Sequence, residues 1–498
     1  MTLVHNFPFF SIILCMIAGI FTSILKHHSA KFLTFLVSGV VLALSAFTLA
    51  LTLQHENAYP FMMGHFPAPW GNEIRIGRLE ALMATGFSAV LMVSLIAGFR
   101  HSPAFVSEQK TNLYCIMVDL VLAAVLVLIY TNDLFTVYVF IEILTIASCA
   151  LVIVRQNGHT LVAVMRYMIM HLFGSGLLLL GISMLYGITG HLLMVPLGEA
   201  VRKIVETRES TGPLTVVIAL ITAGLAIKSA MFPFHGWAPD IYAFAPPLSS
   251  AILSGIISKA YIFVLIKFFY RVVGMDLIVS QHINQFLFVC GVSGMILGSV
   301  LAISQRDIRR MIAYSSVAQI GYIYMGLGLG NSAGVEAALF QILVHAAVKS
   351  LLFLATYELI NVSGDRKRFR YLHGAGYRNV PAGIVFTVAS MSMIGIPFTG
   401  GFIVKLNLAI SGMMFGGWIR TLVLIALAVS TLLNGIYFLH TVVSIYRRPS
   451  EEITYPPAEK IPPYAAGALL VSMLLIVYLG IGSEPIMRLI ETGLMTFS

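Results

Sequence analysis

The chain has 498 residues, 58% of them hydrophobic and only 10% charged, with a formal net charge of +9. Apolar runs near the ~20 residues that cross a bilayer recur along its whole length, which excludes a soluble enzyme and predicts a polytopic all-α membrane protein. The positive charge sits mostly in short loops, so it reports topology and excludes nucleic-acid binding.

The apolar segments predict about 14 transmembrane helices. In chain order they fall near 8–25, 31–53, 79–99, 111–130, 134–154, 162–186, 213–231, 246–270, 284–303, 311–329, 335–362, 379–409, 418–446 and 464–483. No basic stretch precedes the first, so no cleavable signal is expected. The long polar loop 54–78 carries Gly64-His-Phe-Pro-Ala-Pro-Trp-Gly71, which predicts turns and a short hairpin outside the membrane. Placing the N-terminus outside and alternating gives inside loops rich in Lys and Arg: Lys26, Lys31, Arg100, Lys110, Arg155, Arg166, Arg306, Arg309, Arg310, the 366–378 run, Arg447, Arg448 and Lys460. Fewer fall outside, among them Arg75, Arg78, Arg202, Lys203 and Arg208. This bias orients both termini to the outer side of the cell membrane. The basic, amphipathic stretch 195–209 also falls outside and predicts a surface helix lying on the membrane or a neighbour. Cys15, Cys115, Cys149 and Cys290 stand alone in apolar segments, with no C-x-x-C and no Cys/His cluster. No metal or other cofactor is expected, and the chain is not expected to be redox-active itself.

Charges within the apolar segments carry the chemistry. Lys228, Lys259, Lys349, Lys405 and Glu142 all lie within predicted spans. A Lys at the centre of a spanning helix costs roughly 2.5–3.5 kcal/mol on insertion scales. Four amines facing one carboxylate cannot all be paired, and an amine in low dielectric is poised to gain and lose a proton. The rival for Lys228 is snorkelling, since it stands near the end of its span. The following Pro233-Phe-His235-Gly-Trp-Ala-Pro239 break counts against that, because broken helices persist in a membrane only where protein or water covers the freed backbone. Snorkelling is expected to account fully for Lys267 and Arg271. Gln341, His345 and Lys349 recur every fourth residue and share one helix face, placing an imidazole one turn from a buried amine. Asp307 predicts a loop salt bridge at a helix start, with a relay role as the rival. The run Ile394-Gly-Ile-Pro-Phe-Thr-Gly-Gly-Phe-Ile-Val-Lys405 repeats the pattern of a break beside an intramembrane Lys. Paired interruptions predict inverted repeats with broken helices. The organisation expected is a three-helix segment over 1–110, five-helix repeats over 111–271 and 284–446, and a loop with a last helix over 447–498.

These residues resemble the antiporter-like subunits shared by Mrp-type sodium/proton antiporters, respiratory complex I and membrane-bound hydrogenases. The matching stretches are Phe140-Ile-Glu142, Lys228 through Asp240, Ser249 through Lys259, Asp307 through Ser316, His345-Ala-Ala-Val-Lys349 and Gly395 through Lys405. The layout and the external loop are most similar to the D-type Mrp subunit. The resemblance implies that Glu142 pairs with Lys228 of the broken helix. It makes Lys259 the central relay amine, His345 and Lys349 the connecting path, and Lys405 the terminal amine; His235 and Asp307 are further candidates. It also implies passage of protons, and in some relatives sodium, within a complex of other membrane subunits in lipid. Two positions depart from the pattern: Tyr242 and Gln341 stand where many members have His. A phenol or an amide is a poorer proton carrier than imidazole near neutral pH. The Pro-Phe-His-Gly-Trp-Ala-Pro-Asp run is closer to the complex-I-like and hydrogenase members.

A second reading makes the chain a structural subunit whose Lys residues serve assembly, and a third gives it part of a quinone site in an oxidoreductase. The drive is open between an ion gradient and electrons delivered by a hydrogenase-like or NADH-oxidising arm.

Overall fold

The computed structural model describes residues 3–55, 58–62, 66, 72–99, 102–207, 211–449, 455 and 461–497. The chain is almost entirely helical. Helices α1 (Phe7–Ile24) and α2 (His27–Gln54) lead to a two-stranded antiparallel hairpin, β1 (Tyr59–Met62) and β2 (Glu73–Ile76), with Tyr59 opposite Ile76. The strands accord with the hairpin expected in the 54–78 loop. Its Gly64–Gly71 run lies outside the described residues apart from Phe66, as do Arg100, Arg208 and Lys460.

Next come α3 (Arg78–Gly98), α4 (Glu108–Tyr130), α5 (Leu134–Ile153), α6 (Gly158–Thr189), α7 (Met194–Thr207) and α8 (Thr211–Lys228). After a break come α9 (Ala238–Phe244) and α10 (Pro247–Val273). The second half holds α11 (Ile283–Ile303), α12 (Ile308–Leu329), α13 (Ser332–Asn361), α14 (Val380–Ile394), α15 (Gly400–Met413), α16 (Gly417–Tyr446), α17 (Pro463–Ile481) and α18 (Ser483–Met495). Among the described residues, 11 helices are long and apolar enough to cross a membrane. The segment predicted as one span over 379–409 is two helices, α14 and α15, separated at Gly395–Thr399.

Local chemistry sets the helix ends. Asp133, Asn157, Asn331 and Asn379 each accept a backbone N–H of the helix they start, supplying a partner to an otherwise orphaned donor. Gly190, Gly330 and Gly395 close α6, α12 and α14 in the left-handed conformation.

Helices α10 and α13 form the centre. Every residue in their most apolar stretch is buried, against 39% for α1, α6 and α16. The outer helices keep an apolar face toward lipid, so burial there is one-sided. The two central helices hold Lys259, His345 and Lys349, all shielded by the rest of the chain.

Three expectations are corrected. Lys267 does not snorkel: it is fully buried, and its Nζ donates to the carbonyls of Leu128 and Ile129 at 3.2 and 2.8 Å and to that of Thr131. Arg271 does not snorkel either; its guanidinium pairs with buried Glu80 and donates to the Phe497 carbonyl at 3.0 Å. The end of α10 is therefore enclosed, where a terminal helix turn alone suggested the headgroups. The helix expected over 195–209 forms as α7, but it lies on its own chain. It buries Met194, Leu197, Gly198 and Val201 and packs on the last turn of α10.

Candidate functional site

Two helix breaks set the ends of the site. At the first, α8 stops at Lys228, and the chain turns through Ala230 and a 3-10 turn, Phe234–Trp237, before α9 begins. The indole N–H of Trp237 donates to the Ile227 carbonyl at 3.1 Å, and Met231 N–H to the Ala226 carbonyl at 3.0 Å. Carbonyls freed by the stop thus find donors, as a break in low dielectric requires.

Lys228 is fully buried at this stop. Its Nζ lies 3.3 Å from Glu142 Oε1 on α5 and donates to Thr145 Oγ1, also at 3.3 Å. Glu142 in turn accepts the Ser175 hydroxyl of α6. The Glu142 side chain keeps 29% of its surface exposed, an open carboxylate on an outer helix.

Lys259 lies on α10 just after a π-helical stretch, Leu253–Ile257. The wider turn offers the Ser254 carbonyl to the amine five residues on, and Ser258 Oγ accepts at 3.1 Å. No carboxylate pairs with Lys259 among the described residues. Lys349 of α13 is held the same way, by the Ile312 carbonyl at 3.0 Å and the Ser315 hydroxyl of α12. His345 is fully buried one turn before Lys349 and interacts electrostatically with both Lys259 and Lys349. Neither of its ring nitrogens has a protein partner among the described residues. Gln341 turns aside to Gln319, donating to its Oε1 at 2.8 Å.

The second break holds Lys405. This amine is partly buried and donates to the Ile394 carbonyl, freed where α14 ends, and to Thr431 Oγ1 at 3.0 Å. It stands 5.3 Å from the centre of the Tyr322 ring. Gly395 makes the geometry possible, with φ at +89° and the Lys405 side chain where a Cβ would go, 2.8 Å from its Cδ. Gly395→Val is expected to cost at least about 1–2 kcal/mol for the left-handed backbone and to displace Lys405. A thermal-unfolding scan and a transport assay on the same preparation would test it.

The structure thus gathers Glu142 with Lys228, and Lys259 with His345 and Lys349. Lys405 stands at the second break, and two further sequence candidates lie apart from all of these. Asp307 caps α12, accepting the Arg309 N–H at 2.8 Å and the Arg310 N–H at 3.4 Å, where a loop salt bridge was expected. His235 stacks on Phe232 with ring centres 5.3 Å apart.

Several polar residues were missed. His171 of α6 is fully buried beside Tyr167, with ring centres 3.8 Å apart, and interacts electrostatically with Lys228. Tyr167, His171 and Ser175 recur every fourth residue, a spacing that puts all three on one face. A second set joins the later amines. Tyr437 approaches Ser315, the partner of Lys349, and its hydroxyl donates to Asn434 Oδ1 at 2.6 Å. Asn434 Nδ2 donates to the Tyr322 hydroxyl at 3.2 Å, and Tyr322 is the ring against Lys405. Ser430, Asn434, Tyr437 and Thr441 form a polar stripe on α16 with helical spacing, the signal that could have found them. The count of one carboxylate inside the apolar segments is also corrected. Glu80, Asp119 and Glu358 are buried as well, each inside a predicted span.

Comparison with known proteins agrees with this architecture. A family model described as NADH:quinone oxidoreductase/Mrp antiporter, TM, matches residues 131–433. The N-type subunit of the NADH-quinone oxidoreductase of Desulforudis audaxviator (strain MP104C) is 33% identical over 447 residues, covering 89% of this chain and 87% of that protein. The D-type subunit of the Na(+)/H(+) antiporter of Alkalihalophilus pseudofirmus is 26% identical over 489 residues, 97% of this chain and 95% of that protein. Among solved structures, a chain of the archaeal membrane-bound sulfane sulfur reductase superposes with a TM-score of 0.87 at 25% identity, covering 98% of this chain and 97% of the other.

Proposed function

Because the chain belongs to the NADH:quinone oxidoreductase/Mrp antiporter transmembrane family, we propose that it is the proton-translocating membrane subunit of a multisubunit complex. Protons move along a mid-membrane line from Lys228 through Lys259, His345 and Lys349 to Lys405. Glu142 biases the proton on Lys228. Tyr437, Asn434 and Tyr322 bridge Lys349 to Lys405, and His171 supplies an imidazole near Lys228 where Tyr242 and Gln341 do not. Asp307 and His235 stand outside the line. The relatives' names make exchange of sodium for protons part of this reading.

The observation that supports the reading best is the run of enclosed amines without matching anions. Buried Lys259 and Lys349 each rest on a carbonyl and a serine hydroxyl. Such neutral acceptors hold an amine in place without fixing its proton. Lys267, seated on carbonyls alone, lacks the serine hydroxyl and the neighbouring imidazole that Lys259 and Lys349 share. The open flank of Glu142 fits a neighbouring subunit packed against α5. We further infer two inverted five-helix units over 111–271 and 284–446, each containing a broken helix beside its Lys, with both termini on the outer face.

Membrane vesicles containing the chain with its partner subunits provide the test. Lys259→Ala is expected to lower proton movement by about 10²-fold, the low end of what a positioned proton-transfer group contributes. The complex should run unchanged on a blue-native gel. Full transport in the variant would refute the relay, and loss of the assembled band would favour the structural reading.

A further inference from the structure

The helices before the matched region contain a carboxylate that the lysine line does not use. Asp119 of α4 is fully buried where α4 packs against α1 and α2. One oxygen, Oδ2, accepts the Thr34 hydroxyl of α2 at 3.0 Å. The other, Oδ1, is enclosed and has no hydrogen-bond donor among the described residues. Thr22 of α1 stands beside the same carboxyl group, fully buried, and its hydroxyl oxygen is likewise unpartnered. Two orphaned oxygens in an apolar interior are each costly, about 1–3 kcal/mol apiece. Asp119 and Thr22 can satisfy each other in either protonation state, the hydroxyl donating to the carboxylate or the acid O–H donating to Thr22, so what the ionised form lacks is a countercharge.

Among the described residues, no cation takes that place. The groups facing Asp119 are the thiols of Cys15 and Cys115, with the Lys31 ammonium acting on Cys115. On the other elements against α4, the ionisable groups are engaged elsewhere. Glu80 of α3 holds Arg271, Glu142 of α5 holds Lys228, Lys259 rests on Ser254, and Lys267 binds carbonyls at the far end of α4. A bare carboxylate here would be an unpaired buried charge, the most expensive arrangement available.

The site also has a way out. Thr22 lies in the last turn of α1, and its carbonyl accepts Asn112 Nδ2 at 3.2 Å. Asn112 is two turns from Asp119 along α4 and partly exposed, and it also binds the Leu25 carbonyl. That end carries Lys26, Lys31 and Lys110, so it meets water.

We propose that Asp119, with Thr22 and Thr34, is a second proton-holding site, separate from the lysine line and exchanging with water at the Lys26–Lys110 end of the three-helix segment. The ligand is the proton, with no metal ion in the site.

Infrared difference spectroscopy of the full complex in membranes tests this directly. The carbonyl band of a protonated, hydrogen-bonded carboxylic acid should be present at neutral pH, move in heavy water, and vanish in Asp119→Asn. The amide replaces the acid group for group, so assembly is expected to survive. Thr22→Val removes the acceptor and should shift the same band to higher frequency, which keeps the test decisive if the Asn variant fails to assemble. A band present in wild type and unchanged by both variants overturns the proposal. So does a band that stays fixed in heavy water, since the proton would then not exchange. Loss of the band on adding sodium chloride, with choline chloride inert, overturns it in favour of a sodium site.

Discussion

Glu142→Gln and Lys228→Ala are each expected to abolish proton movement, by about 10²-fold or more, while the complex still assembles. The amine and carboxylate stand 3.3 Å apart. At an effective dielectric of ~20 their Coulomb attraction is about 5 kcal/mol, part of which offsets the desolvation of both groups. Whatever separates them removes that attraction from the ammonium and frees its proton for the next acceptor. Gln keeps the shape and can still accept the Ser175 hydroxyl, so the fold should hardly notice the change. Lys228 would then lose its switch and keep one proton state through the cycle. The Ala variant removes the carrier itself. Proton uptake into vesicles, measured beside a blue-native gel, separates the two losses: wild-type uptake in both variants ends the idea of a switched pair, and loss of assembly in both reassigns the pair to structure.

The switch depends on where Glu142 faces. With 29% of its side chain open on an outer helix, it is the relay member best placed to sense a neighbouring subunit. A charge brought near that flank would act on Glu142 first and on Lys228 through it. Lys259 and Lys349 are enclosed, so they respond only through the groups between them and Glu142. In the proposed line the Glu142 end is thus open to a neighbour, while Lys259, His345 and Lys349 are not.

Much of this was legible in the sequence, because charge in an apolar run is conspicuous and Pro and Gly mark breaks. Lys228, Lys259, Lys349 and Lys405 announce themselves by cost alone. The connecting residues do not. Tyr322, Asn434 and Tyr437 are ordinary polar side chains on helices, and only packing makes α12 and α16 bring them together. His171 was hidden for the same reason: its meaning comes from α6 lying against α8. Lys267 and Arg271 misled in the opposite direction. A basic residue at a span end usually reaches for the headgroups, but here the β-hairpin, α7 and the C-terminal helix close over that end. No local pattern in 260–275 reports that cover. Asp119 carries the same signal, a charged group inside the apolar run 111–130, and went unread beside the lysines.

That enclosed end leads to the largest expected effect on stability. Arg271 and Glu80 are each only 1% exposed in their side chains, and they join α10 to α3. Arg271 also donates to the Phe497 carbonyl, with the Phe497 ring 4.5 Å away, which ties down the C-terminal segment. Removing one member of such a pair leaves an uncompensated buried charge, at a cost of about 3–5 kcal/mol. Glu80→Ala is expected to be the worse single change, because it leaves a guanidinium that cannot shed its proton, beside Lys267 and Arg75. Arg271→Met leaves a carboxyl that can become neutral, and should cost less. The double variant Glu80→Leu with Arg271→Met removes both charges, and replacing a buried pair by apolar groups of similar volume is often neutral. Its midpoint of thermal unfolding should therefore lie above that of Glu80→Ala and close to wild type, with transport retained because neither residue touches the lysine line. A double variant that is stable yet inactive would place this ion pair on the proton path, and one as unstable as Glu80→Ala would show that the hydrogen bonds to Phe497 and Asn132, not the charge pair, hold this end together.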